Sequence, residues 1–226
     1  MKEYSANNSE TRLRYHDFYG EGEPILFIHG LGCAGSFDYP NVASQVELTE
    51  SRCILVDLLG AGYSDKPIDY DYSVRGHAQY LFEFVGDIGL EKLILFGHSA
   101  GGAIALSLAE LCKDRISNII LSEANLDSGG GFTSKKIASF EADDFANNGF
   151  NEIIAASKKS SNEIWAASFS FWAPQAAYQL SKSLIEGQRP SWREILYSLK
   201  CPKTFIYGEK SLPEPDMQVL IDNNIR

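Results

Sequence analysis

The chain has 226 residues, 44% hydrophobic and 12% aromatic, a composition that supports one packed core and excludes a largely disordered chain. Twenty basic residues against thirty acidic ones leave a net charge of −10, which argues against nucleic acid or an anionic membrane as a partner. The polar start (MKEYSANNSETRLRYHD) lacks the apolar core of a secretory signal, and no apolar run approaches the roughly 18 residues that a membrane span needs.

Residues 11–19 (TRLRYHDFY) alternate weakly and predict an antiparallel edge hairpin with the next segment of chain. Five short apolar runs then share one pattern: PILFIHG (24–30), CILVDLLG (53–60), KLILFGH (92–98), ISNIILSE (116–123) and KTFIYGE (203–209). Each breaks at its C-terminal end into glycine or a polar residue, as strands of a parallel sheet buried on both faces do. Helical stretches at 40–50, 73–88 and 100–112 lie between them. The predicted fold is therefore α/β, a mostly parallel central sheet with helices on both faces.

The pattern changes after Glu123. A glycine-rich stretch, ANLDSGGGFTS, leads into helical periodicity that holds until SLKCPKTFIYGE returns to a strand. Residues 128–195 are expected to form an inserted helical cap, with 1–127 and 196–226 as two parts of one core. The rings of this insertion, among them Phe140, Phe145, Phe150, Trp165, Phe169 and Trp172, are expected mainly to pack, with a few lining a pocket. Cys33, Cys53, Cys112 and Cys201 are far apart and lack CxxC spacing. They read as reduced thiols of a cytoplasmic protein, without zinc or disulfides.

The stretch that carries chemistry is Gly97-His98-Ser99-Ala100-Gly101, a G-x-S-x-G between a predicted strand and a predicted helix. A strand can enter a helix through so tight a turn only where side chains are absent or small. The serine then stands above the sheet, with the N–H groups of the helix start beneath it.

Three motifs in order give a resemblance. HGLG (29–32) resembles the oxyanion loop of the α/β-hydrolase fold family, DLLGAGYSDKP (57–67) its strand-four loop, and GHSAGG (97–102) its nucleophile elbow. The resemblance covers residues 12 to 210. It implies Ser99 as nucleophile and the main-chain N–H groups of Ala100 and Leu31 as the oxyanion hole. It also implies that His29 and Asp57 shape their loops and that Ser64 is a turn residue.

In this family the acid follows one of two strands. After KTFIYGE many relatives carry an Asp where this chain has Ser211. The other position is the end of IILSE, and Glu123 there is similar to the acid of the haloalkane dehalogenase-like subgroup. Glu123 is the expected acid, with Asp127, Glu214 and Asp216 as weaker candidates. The base is the gap. The histidines are His16, His29, His77 and His98, and none follows Ser99. His98 adjoins the serine but is held on the elbow, and His77 lies in a helical stretch. The expectation is that the catalytic His, with a last strand and helix, is missing from these residues and that this chain is a truncated form.

A serine nucleophile points to acyl transfer, and it argues against the dehalogenase reaction, which uses Asp. The reading is a serine hydrolase that cleaves a small ester or related acyl bond through an acyl-enzyme, without cofactor or metal. This chain is expected to be impaired. The alternatives are a non-catalytic ligand-binding or pseudoenzyme member of the same fold, and a cofactor-free perhydrolase.

Overall fold

The computed structural model describes residues 1–6, 10–212 and 216–226. Seven strands form one sheet: β1 (Lys2–Tyr4), β2 (Leu13–Phe18), β3 (Gly22–Ile28), β4 (Ser51–Asp57), β5 (Leu93–His98), β6 (Ile116–Ser122) and β7 (Lys203–Ile206). Their order is β1-β2-β4-β3-β5-β6-β7. The β1–β2 and β2–β4 pairs are antiparallel and the remaining pairs are parallel.

The expected edge hairpin over 11–19 is corrected. β2 is a strand, but it pairs with β1 and β4 and not with β3, and β1 holds the edge. The reason lies in the turn between β2 and β3, which passes tightly over the start of β4. A Cβ on Gly20 would stand 2.3 Å from the Ser51 carbonyl carbon, and the Gly22 N–H donates to Glu50 O at 2.7 Å. That passage leaves β4 between the two strands. Arg52 on β4 then locks the pairing with a two-pronged bond to Asp17 on β2, at 2.9 and 3.0 Å.

Strand alternation divides the core between the two faces of the sheet. Leu26, Ile28, Ile54, Val56, Leu93 and Leu95 point into the larger core. Ile25, Phe27, Cys53 and Leu55 point the other way, against Ala43 of the short helix α2 (Pro40–Ala43) and Tyr39, which joins it to α1 (Gly35–Asp38). Burial on both faces explains why the ends of β3 and β4 read as unbroken apolar runs.

On the larger face, α3 (Val74–Asp87) packs beside α4 (Ala100–Leu111), whose small apolar residues let it lie close to β5. Between β6 and β7 the chain holds helices only: α5 (Phe132–Ala138), α6 (Ala142–Asp144), a π turn at 145–149, α7 (Phe150–Lys159), α8 (Glu163–Phe169), α9 (Pro174–Glu186) and α10 (Trp192–Ser198). Phe145, Phe150, Phe169 and Leu180 from these helices, and Trp172 from the turn between α8 and α9, belong to the same buried cluster as the sheet. After β7, α11 (Met217–Asp222) brings Arg226 against the outer side of that strand, where its N–H donates to Lys203 O at 3.0 Å. No helix among the described residues is long and apolar enough to cross a membrane.

Candidate active site

Parallel register brings the ends of three strands to one edge. Ile28 lies opposite Gly97, and His98 opposite Ser122. The loops after β3, β5 and β6 therefore emerge side by side, the arrangement in which open α/β sheets hold ligands.

Ser99 sits at the β5–α4 junction with φ 51° and ψ −119°. This is a region that L side chains avoid, at a cost of about 1–3 kcal/mol. The surroundings hold it there: its N–H donates to Ser122 O at 2.8 Å, and its carbonyl accepts from Gly102 N–H at 2.9 Å. Close approach demands the glycines. A Cβ on Gly101 would stand 2.3 Å from Ile28 O, so α4 could not start so near β3 with any other residue. Ala100 opens α4, and its N–H is one of the first-turn donors for which the helix supplies no acceptor.

The loop after β3 is pinned from several sides. His29 is fully buried. Its Nδ1 lies 2.9 Å from Gly30 O, and its Nε2 accepts from the Leu58 N–H at 3.0 Å. Those two bonds require a neutral ring with the proton on Nδ1, and burial pushes its pKa down. His29 thus ties the loop to the end of β4 and has no free nitrogen for proton transfer. Asp57 does the same for its own loop, accepting from the Ser36 N–H, the Ser36 hydroxyl and the Tyr63 N–H at 2.8–2.9 Å. The Ser64 hydroxyl donates to Asp57 O and accepts from the Arg14 N–H.

Ser99, Ala100, Leu31 and His98 line one cavity of about 410 Å³. Ile153, Trp165 and Leu184 supply apolar walls from the helices between β6 and β7, and Ser134, Ser157 and Asn162 supply polar ones. Cys33 lines it too, but burial beside Asp38 pushes its thiol up to about 12, so it carries no thiolate.

Glu123 follows β6 with φ 49°. Its Oε1 accepts from the Ser211 hydroxyl at 2.8 Å and from the Gly208 N–H, both on the loop after β7. The carboxylate faces a neighbouring polar cavity of about 380 Å³; Asn125 lines this one and the Ser99 cavity alike. The structure thus brings Ser99, Ala100 and Leu31 together and sets Glu123 next door, one residue beyond the paired His98 and Ser122. Asp127 and Asp216 are both occupied by Arg193, the former at 2.6 and 2.8 Å. Glu214 lies outside the described residues.

Of the histidines, His98 holds Nδ1 against Ser122 O at 3.1 Å. His77 is buried on α3 beside Tyr70 and Tyr72, and burial lowers its pKa to about 3. His16 stacks on Phe18 on β2. Among the described residues no group of three or more His, Cys, Asp or Glu could hold a metal, and the four cysteines are free.

Sequence reasoning missed four contributors: Ser211 as a donor to Glu123, Arg193 as the clamp on Asp127 and Asp216, and Trp165 and Trp172 as donors to the loop after β3. All four act across more than 60 positions of sequence or from helices with no motif of their own; the aromatic richness of 128–195 was the one signal for the tryptophans.

A strand–turn–helix serine beside a pinned glycine loop, on a seven-stranded mostly parallel sheet, defines the class. Residues 23–158 match the family model of the alpha/beta hydrolase fold, and the chain belongs to that family. It is 33% identical over 115 residues to haloalkane dehalogenase 2 of Mycobacterium tuberculosis, a stretch that is 51% of this chain and 39% of that protein. It is 34% identical over 111 residues to 2-hydroxymuconate semialdehyde hydrolase of Pseudomonas putida, covering 49% of this chain and 39% of the relative. These alignments therefore span well under half of each relative's length. An esterase from Exiguobacterium antarcticum superposes with a TM-score of 0.79 at 18% identity, over 99% of this chain and 87% of that one.

Proposed function

We propose that this fold is built for serine-dependent hydrolysis of a small ester or related acyl compound. The observation that carries the reading is the backbone of Ser99, held at φ 51° on the rim of a cavity that Leu31 and Ala100 also line. Strain of this kind is stored where a side chain must stand in one place. In the proposed reaction Ser99 Oγ gives its proton to a base and attacks the acyl carbon, and the Leu31 and Ala100 N–H groups receive the charge on the carbonyl oxygen. The adduct collapses by breaking the ester C–O bond, the alcohol leaving with that proton as the acyl-enzyme forms. Glu123 orients the base, and water then releases the acid from the acyl-enzyme. Residues 128–195 act as the cap that excludes water. The substrate is a small molecule, and the four free thiols suit a cytoplasmic setting.

The base is the open position. His29 has both ring nitrogens engaged, His77 is buried and does not line the cavity, His98 lines it with Nδ1 held against Ser122 O, and no His follows Ser99 in the 226 residues. The 226-residue chain should therefore turn over p-nitrophenyl acetate slowly. Added imidazole should raise that rate well above the imidazole-only background in the parent chain and leave Ser99→Ala at background. An identical imidazole response in both proteins would remove Ser99 from the reaction. His98 lines the cavity but is held with Nδ1 against Ser122 O, which favours one further reading, a binder that keeps the cavity without the chemistry. It predicts saturable ester binding with no Ser99-dependent rate at any imidazole concentration.

A further inference from the structure

The loop that offers the Leu31 N–H is not held by its own strand alone. Gly30 O is fixed by His29 Nδ1 at 2.9 Å and by the Cys33 N–H at 3.2 Å. A trans peptide sets its N–H opposite its carbonyl, so fixing Gly30 O aims the Leu31 N–H the other way. The next two anchors come from far along the chain. The Trp165 indole N–H donates to Leu31 O at 3.2 Å, and the Trp172 indole N–H donates to Cys33 O at 2.8 Å. Fixing the peptide planes on both sides of Leu31 fixes its φ and ψ, and hence the direction of its N–H.

The fit admits little slack. Gly32 has φ +81°, and a Cβ there would stand 2.4 Å from the Trp165 indole. Trp172 is 3% exposed and meets His29 edge-to-face, with ring centroids 5.7 Å apart. The same short segment ties to the β4 loop through the Ala173 N–H to Gly60 O, at 2.8 Å. Trp165 also lines the Ser99 cavity, so whatever displaces it there loosens its grip on Leu31 O.

We propose that Trp165 and Trp172 are positioning residues that set the oxyanion loop from the cap side, so the Leu31 donor is aimed only while α8 and the turn after it are docked. This rests on the hydrolase reading for what the donor does, but not for whether the clamp exists. The indole N–H groups are engaged by Leu31 O and Cys33 O. They act through two carbonyls, and docking of the cap and competence of the oxyanion hole become one event.

The test separates hydrogen bond from ring. Trp165→Phe and Trp172→Phe keep an aromatic ring and remove the donor. Replacing either tryptophan with β-(3-benzothienyl)alanine keeps the full bicyclic shape without an N–H, which covers the case where a Phe variant folds poorly. Amide hydrogen exchange over residues 29–36 should run about fivefold faster in each variant, the worth of one net hydrogen bond. Calorimetric binding of a trifluoromethyl ketone, whose adduct on Ser99 is tetrahedral, should weaken about fivefold, while the matching methyl ketone changes less than twofold. Unchanged exchange over 29–36 in the benzothienyl proteins would overturn the clamp. If the parent chain binds neither ketone, the hydrolase reading fails, and the exchange result still decides the clamp.

Discussion

Ser99 pays for its position in backbone strain, and the strain is measurable. Glycine is at ease at positive φ, whereas alanine is not. Ser99→Gly should raise stability over Ser99→Ala by about 1–2 kcal/mol in urea denaturation, with both variants devoid of acylation. Equal midpoints would mean that the elbow is relaxed. Glu123 makes a second case. Its carboxylate accepts from the Ser211 hydroxyl at 2.8 Å, so a charge placed at that position would meet it directly. Ser211→Asp would set two carboxylates within hydrogen-bond reach. It should cost about 1 kcal/mol at pH 8, with the loss recovered near pH 4 as one of them takes a proton. A pH-independent cost would show that packing, not charge, governs that contact.

At the level of elements, the site depends on how near α4 lies to β3. Gly101 permits that contact, since any Cβ there would enter the Ile28 and His29 carbonyls. Gly101→Val should destabilise by about 3 kcal/mol, at the upper end for overpacking, and should lower the urea midpoint without changing the slope. A loss under 0.5 kcal/mol would mean that α4 shifts freely. The parallel strands were legible from their apolar runs, but burial on both faces holds for the ends of β3 and β4 only: β5 and β6 alternate between buried and half-buried residues, and at the sheet edge no residue of β7 is buried. The pairing of β2 was not legible. It depends on a glycine turn slipping past the start of β4, a contact between residues thirty positions apart that leaves no local mark.

Across the molecule, buried neutral histidines couple folding to acid. His77 has its pKa lowered from 6.5 to about 3 by burial, beside His29, which is lowered by burial too. A group whose folded pKa lies below its unfolded value contributes fully above the unfolded pKa and loses that contribution as pH falls. Stability should therefore drop between about pH 6.5 and 3, with each such histidine adding up to about 1.4 kcal/mol per pH unit. His77→Leu should flatten that slope by about one proton's worth in urea titrations at several pH values. A slope identical to the parent's would mean that His77 stays neutral in the unfolded chain or charged in the fold. Asp17, whose carboxyl is held low by Arg52, also loses its contribution on acidification, but at lower pH, near the ordinary carboxylate range.

The sequence by itself determined what is local and repeated: the parallel strands, the helices after them, and the G-x-S-x-G turn that places Ser99. Period, turn chemistry and small residues at a junction are written in neighbouring positions. Only the tertiary structure decided which strand lies beside which, which acids are paired, and what holds the loop after β3. Asp127 and Glu123 look alike in sequence, yet one is spent on Arg193 and the other is held by the loop after β7. Leu31 was nameable from HGLG, whereas its anchors Trp165 and Trp172 stand more than 130 positions away. A main-chain donor is aimed by whatever binds the carbonyls around it, and those partners are chosen by packing across the whole chain.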